Sequence, residues 1–428
     1  MAKNLSPFDR EAQHSQKRRA IVSVASWLFN TKGPRATTMR DITRELSLTK
    51  TSLYYYVRTK EELIYLCYKA TCEWLADLIG DAQSEGADFF PELVSAYIAA
   101  FSAARSGNAP HRAILSEIAA LEHDHRSDIS ARYTDLFDAI HNRIERLVMA
   151  GKIRPLHPTA TTHAYFSTLQ WSVAWLGHLS ERDMERAPDH LRDIMLNGLA
   201  TNRDSLPDFV RTRTIADVGD EPDPDEETRA KIAAFIRTAS AFFNRQGYTA
   251  TSLDEIADAI DVTKGAFYYY IRNKEDLLVK CFERTIKLMK HSVAKADENG
   301  NTGLEKIYFA AARLFVYQNS DCGPLVRSGL LISLPLDKRR PLLDEFQAIS
   351  DLFGAFISEG IADGSIRQVN PFIAQELIVG TVMGSDAFAD WGNVDDPVGA
   401  AKQYLDFILR GFLPGTPTIP SYKGDDHG

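Results

Sequence analysis

Two stretches of this chain concentrate side chains able to grip a polyanion. They are Thr49-Lys-Thr-Ser-Leu-Tyr-Tyr-Tyr-Val-Arg-Thr-Lys60 and Thr263-Lys-Gly-Ala-Phe-Tyr-Tyr-Tyr-Ile-Arg-Asn-Lys274. Lysine offers a point charge, serine and threonine offer hydroxyls, and tyrosine offers an apolar ring with a donor at its tip, a set suited to phosphate oxygens and base edges. Bond-breaking chemistry is not furnished in the same way. The chain contains no Gly-x-Ser-x-Gly, no phosphate-binding Gly-x4-Gly-Lys-Ser/Thr, no His-Glu-x-x-His and no Gly-x-Gly-x-x-Gly. Catalytic residues, and with them an enzyme, are therefore not expected.

The two stretches lie within a longer repeat. Residues 17–63 and 231–277 align without a gap at an offset of 214, with nineteen of 47 pairs identical, which chance does not produce. Cys67 and Cys281 keep the register, as do Pro110 and Pro324; Gly151-Lys-Ile-Arg154 then matches Gly364-Ser-Ile-Arg367 at an offset of 213. The chain reads as two copies of one unit. Between them, Gly219-Asp-Glu-Pro-Asp-Pro-Asp-Glu-Glu227 has the composition of a solvated linker.

The elements that must position these residues are helices. Ile21, Val24, Ala25, Leu28 and Phe29 recur at the spacing of one helical face, and Gly33-Pro34 and Gly247 end the two equivalent helices. Thr38 opens a short helix with Met39, Ile42 and Leu46 inward, Ser47-Leu48 makes a tight turn, and Thr49 caps a second short helix. Thr59 caps a long helix, with Glu62 three residues on as a capping box. The stretches 128–150, 159–180, 337–363 and 371–390 read as further helices, and no run alternates with period two, so the fold class is all-α.

Two short helices across a tight turn form a helix-turn-helix, whose second helix enters the major groove. Over Ala36–Leu63, and again over Ala250–Leu277, the sequence resembles the TetR family of bacterial transcriptional regulators. The resemblance implies helix-turn-helix domains at 1–62 and 229–276, helical ligand-binding and dimerisation domains at 63–212 and 277–415, a linker at 213–228 and a tail at 416–428. One departure is that Ser47 and Asp261 stand where the family favours glycine, so mild strain is expected at Ser47. Thr37 and Thr38 open the first helix and suit a phosphate, as do Thr251 and Ser252. Lys50, Thr51 and Ser52 begin the recognition helix, with Lys264 and Gly265 opposite them in the second copy. Tyr54, Tyr55 and Tyr56 wrap around the helix, so one packs inward and two face DNA; Tyr268 and Tyr269 are the counterparts of the first two. Lys60 and Lys274 resemble the family's phosphate-contacting lysine.

Charge is sorted along the chain. The whole carries −9, yet residues 1–60 hold twelve basic and four acidic residues, +8, with Arg40 among the DNA-facing candidates. Residues 229–274 hold seven basic and four acidic groups, and Arg40 and Arg44 become Asp254 and Asp258. The first motif is therefore expected to dominate affinity for DNA. Expected partners are a double-stranded operator and, as the resemblance implies, a small apolar, aromatic or acyl effector such as an acyl-CoA. Packing of the two copies through 159–203 and 371–413 as an intramolecular pseudo-dimer is the favoured arrangement, and a homodimer with four motifs stays open. A repressor released by its effector is the family's usual mode; an activator, or a protein-interaction adaptor with one degenerate motif, is the alternative. No cofactor is expected. The metal alternative is His123-Asp-His125 with His163 or His178, against the ordinary reading of solvated histidines. Cys67 and Cys281 read as buried structural thiols. The absence of a long apolar run and the polar stretch Met1–Arg19 lead to the expectation of a cytoplasmic protein without a membrane span or secretory signal.

Overall fold

Short polar caps and left-handed glycines divide the chain into helices. The computed structural model describes residues 7–115, 118, 121–177, 179–204, 227–260, 271–320, 323–385 and 396–415. Among them the first copy supplies α1 (Pro7–Lys32), α2 (Met39–Glu45), α3 (Lys50–Tyr54), α4 (Lys60–Asp81), α5 (Phe89–Arg105), α6 (His123–Met149), α7 (Pro158–Leu176) and α8 (Glu181–Asn197). The second supplies α9 (Glu227–Ala250), α10 (Leu253–Ala259), α11 (Lys274–Asn299), α12 (Gly303–Gln318), a 3-10 turn at Ser328–Ser333, α13 (Leu336–Asp363), α14 (Pro371–Met383) and α15 (Pro397–Arg410). Among the described residues there is no strand, only one antiparallel bridge between Ala200 and Ile366, and the all-α expectation holds. No described helix is long and apolar enough to cross a membrane.

The caps lie where the sequence placed them. Thr38, Thr49 and Thr59 accept hydrogen bonds from the N–H groups of Asp41, Ser52 and Glu62. The expected box at Thr59 differs in one detail: the Glu62 carboxylate accepts from the Arg58 N–H, one residue earlier. Gly33 takes φ 90° after α1, and Gly247, at φ 76°, breaks the helical path of α9 three residues before its end.

Each head is tied to its body by the same device. The Asn30 side chain donates to the Arg112 carbonyl and accepts from the Ile114 N–H; Asn244 does the same with Leu325 and Arg327. Both asparagines belong to the internal repeat, so each copy fastens its first helix to the stretch that follows α5 or α12.

The two copies pack through α7 and α8 against α14 and α15, the segments expected from their large apolar residues. Gly380 lets the Trp171 ring lie against the α14 backbone, the Trp171 Nε1–H donates to Glu376 Oε2 at 2.9 Å, and Trp175 meets Phe372 edge to face. Phe90 stacks on Phe412 with ring centroids 4.1 Å apart. At the end of this seam two arginines reach across in opposite directions. Arg154 donates to Asp406 Oδ2 at 2.5 Å, to the Asp406 carbonyl at 2.8 Å and to the Gly411 carbonyl at 2.6 Å. Arg367 donates to Asp193 Oδ2 at 2.6 Å, to the Asp193 carbonyl at 3.0 Å and to the Gly198 carbonyl at 2.5 Å. Every partner is related by the 213-residue offset of the repeat. Backbone bonds repeat the exchange: the Phe412 N–H donates to Met195 and the Leu199 N–H to Ile408. The chain is thus folded as an intramolecular pseudo-dimer with an approximate two-fold axis.

Gly198 and Gly411 sit where the two backbones touch, at φ 70° and 69°. A Cβ on Gly198 would collide with the Leu409 carbonyl, and one on Gly411 with the Leu196 carbonyl. Gly198→Ala is therefore expected to lower unfolding free energy by about 2–4 kcal/mol in urea titration, combining left-handed strain with a backbone clash. Gly107→Ala, at φ 76° with nothing near its Cβ, should cost about 1 kcal/mol. Equal losses at the two positions would contradict a close backbone seam.

Candidate nucleic-acid interface

The first reading head is built on a compact core of Ile21, Leu28, Ile42, Leu53, Val57, Leu63 and Cys67. That core orients α2 and α3 across a turn in which Ser47 takes φ 52°, the left-handed conformation its position as a glycine substitute anticipated. Asp41 fixes the start of α2. Its carboxylate accepts from the Thr38 N–H at 2.9 Å and the Thr38 hydroxyl at 2.7 Å, with Arg44 at 2.9 Å and Lys32 at 3.6 Å beside it. The Thr38 hydrogen bonds above all hold this carboxyl down to a pKa of about 2, with the two cations adding to the effect.

On the outer face Arg40, Lys50, Thr51, Tyr54 and Tyr55 are exposed and Ser52 is half-buried. Tyr55 is 75% exposed, while Tyr56 turns inward and packs against the head's core. The Lys50 ammonium lies 5.7 Å from the Tyr54 ring centroid. His14 of α1 packs against Tyr55 and Tyr56, with centroids at 5.7 and 4.7 Å; no sequence signal marked that contact, because α1 runs past the head at this point. Lys17, Arg18 and Arg19 lie exposed on the same helix.

Two pairs of candidates are engaged within the protein. Thr37 is fully buried, and both its N–H and its hydroxyl donate to the Gly33 carbonyl, at 3.1 and 2.8 Å. Thr251 repeats this with Gly247. Neither threonine has a donor left for phosphate: they close the loop after the first helix, and the expectation for them is corrected. Thr38 stays at the surface with its hydroxyl engaged by Asp41. Lys60 donates to the Arg35 and Thr37 carbonyls, each at 3.3 Å, and Lys274 to Thr249 and Thr251 at 3.1 and 2.9 Å. Both lysines bind the loop before α2 or α10 to the next long helix, so they position that loop from beneath.

In the second head Ser252 caps α10 through the Asp254 N–H, and Asp258 is exposed where the first head has Arg44. Lys264, Gly265, Tyr268 and Tyr269, like Asp261, lie outside the described residues, as do most of the 213–228 linker, the 416–428 tail and His178. The two heads touch: the Arg35 guanidinium lies 4.9 Å from the Tyr248 centroid, and Lys274 covers the same ring at 4.8 Å. Burial and the nearby Arg35 charge push the Lys274 pKa down. Gly33 lies against Ile332 of the second copy, so the first head also rests on the other unit's body. The heads differ in attachment. Phe235, Phe243, Tyr248, Ile256 and Leu277 join the large core shared by both bodies, whereas the first head's core is closed by Ala113, Leu121 and Ile129 of its own body.

The metal alternative takes another form. Among the described residues the acid and imidazole atoms that converge belong to Glu61, Glu122 and His125. His125 Nδ1 is 3.0 Å from Glu61 and its ring stacks on Tyr65, while His163 packs on Phe137 and His123 meets Asp124 at the surface. Cys67 and Cys281 are fully buried, and burial pushes both thiols up to about 12.

Comparison with known proteins agrees with the head geometry. A family model described as bacterial regulatory proteins, tetR family, matches residues 21–65 and 235–281. A model for a tetracyclin repressor-like C-terminal domain matches residues 90–199. The uncharacterized transcriptional regulator YhgD of Bacillus subtilis is 38% identical over 179 residues, 38% of this chain and 85% of that protein. A fatty acid metabolism regulator protein of the same organism is 22% identical over 191 residues, 44% of this chain and 97% of that protein. The crystal structure of AibR in complex with isovaleryl coenzyme A and operator DNA is 21% identical, covers 43% of this chain and all of that one, and has a TM-score of 0.35.

Asp41→Asn should lower the stability of the first head by about 1 kcal/mol at pH 7, through loss of the capping box. Because the Asp41 pKa is depressed, its contribution is present above the unfolded value of 3.8 and is lost as pH falls towards about 2. Chemical denaturation of both proteins across that range should show the gap closing; a gap that persists at acid pH would contradict the carboxylate's role.

Proposed function

The chain belongs to the TetR family of bacterial regulatory proteins and is a DNA-binding transcriptional regulator, and from that premise we propose that it is a repressor carrying both halves of its reading apparatus in one polypeptide. The observation that carries this reading is the reciprocal Arg154–Asp406 and Arg367–Asp193 exchange. It pairs the two copies as a symmetric oligomer pairs two chains, and so supplies two heads to two half-sites of one operator.

Within each head the division of labour follows exposure and charge. Lys50, Thr51 and Ser52 meet base edges, Tyr54 and Tyr55 meet phosphate or sugar, and Arg40 with the basic face of α1 supplies electrostatic attraction. Lys264, Gly265, Tyr268 and Tyr269 align in sequence with Lys50, Thr51, Tyr54 and Tyr55 and take the same roles in this proposal. With Asp254 and Asp258 in place of Arg40 and Arg44, that head adds less to affinity and reads a different or weaker half-site.

The effector in this reading is a small apolar, aromatic or acyl compound, with an acyl-CoA as the leading class. It is supported by the aliphatic and aromatic interior of the bodies and by the name of the Bacillus fatty acid metabolism regulator. The first head shares its core with Ala113, Leu121 and Ile129 of its own body, and Asn30 ties it to the Arg112–Ile114 stretch, so effector binding in that body has a direct path to the head.

The test is fluorescence anisotropy on an operator selected from genomic fragments. Lys50→Ala with Tyr54→Ala should weaken binding by about 100-fold, from loss of phosphate and base contacts worth about 1–3 kcal/mol each. Lys264→Ala with Tyr268→Ala should weaken it less. Arg40→Gln should reduce the salt slope by about 0.9. Palmitoyl-CoA should lower operator affinity by about 5–150-fold, the usual range of such coupling. A larger loss from the second pair would reverse the assignment of the dominant head, and sequence-blind binding would sink the operator reading.

A further inference from the structure

The pseudo-two-fold seam is not electrically symmetric. On one side Asp193 accepts from Arg367 and from the Asn197 side chain at 2.9 Å. On the matching side Asp406 accepts from Arg154 and from Arg410 at 2.6 Å. Arg410 occupies the position of Asn197, so this side carries one more cation against the same single carboxylate.

Arg203 adds another. It is 3% exposed, and its guanidinium donates to the Leu413 carbonyl. Its Nε has no hydrogen-bond partner, and among the described residues no carboxylate pairs with it. Burial, followed by repulsion from Arg154, Arg367 and Arg410, brings its pKa down to about 10; Asp204 offsets this only in part. Burying a guanidinium without an ionic partner is unfavourable, and a bound anion would supply the missing countercharge.

The space for it is present. A cavity of about 340 Å³ is lined by Arg154, Pro155, Arg203, Asp204, Arg410, Pro414 and Gly415. Arg154 and Arg203 come from the first copy, Arg410 and Pro414 from the second. We propose that this cavity binds a small oxyanion, the phosphate or carboxylate head of a metabolite, held by Arg203 with Arg154 and Arg410 across the seam. Guanidinium forks match either head group in bidentate fashion, and the cavity lies within the size range of small-molecule sites. Bound there, the anion bridges the two copies and strengthens the pairing that carries the heads. The site is distinct from the apolar interior of the bodies and independent of DNA.

The test is thermal unfolding of the intact chain, with inorganic phosphate or malonate titrated against sodium chloride at matched ionic strength. One of the two should raise the wild-type Tm saturably, by about 2–4 °C. Which one does so identifies the head group. The shift should vanish in Arg203→Met and shrink in Arg410→Asn, a change that installs the residue of the twin position and so preserves the fold. Phosphorus-31 line broadening of phosphate on the wild-type protein reads binding without any variant, and for malonate carbon-13 broadening does the same. A wild-type chain that responds to neither anion, or an equal response in Arg203→Met, would overturn the proposal.

Discussion

The arrangement depends on two arginines that each leave their own copy and end in the other. Arg154 and Arg367 are largely buried at the seam, and all three nitrogens of each guanidinium are engaged there, which offsets the cost of burying the charge. Each finds one carboxylate and two carbonyls in the opposite copy, at positions related by the repeat. Gly198 and Gly411 are the geometric condition, because only residues without a Cβ let the two backbones approach closely enough for those carbonyls to be reached. Once this exchange is made, α7 and α8 must lie against α14 and α15, and the two bodies share one core.

That shared core treats the two heads differently. The second head's apolar residues run into it without a break, and its Tyr248 is held between Lys274 and Arg35 of the first head. The first head carries its own excess of positive charge and shares a smaller core with Ala113, Leu121 and Ile129 of its body; it also meets the rest of the chain through the Asn30 tie, Arg35 against Tyr248, Gly33 against Ile332, and Glu61 against His125. Duplication within one chain permits this divergence. In a homodimer both heads would be identical, whereas here the two heads differ in charge and in the core they join.

Much of this was legible in the sequence because it is local. The caps at Thr38, Thr49 and Thr59, the stops at Gly33 and Gly247, the left-handed Ser47 and the inward turn of one tyrosine in three all depend on residues within a helical turn or two. The duplication was legible because it repeats. The roles of Thr37 and Lys60 were not, since their types and spacing suit phosphate equally well. What decides them is that Gly33 and the following loop carbonyls lie within reach, a fact of the folded loop. The clamp was visible only as two matching Gly-x-Ile-Arg strings. Its partners lie 174 and 252 residues away, and nothing in either string names Asp193 or Asp406.

In the proposed function one chain supplies a complete two-headed reader. Native mass spectrometry of the protein on its selected operator tests it most directly, by counting chains per DNA duplex. One chain bound to a single bipartite site, with the free protein also a monomer, is the predicted result. Two chains on a site of the same length, each contributing one head, would contradict it.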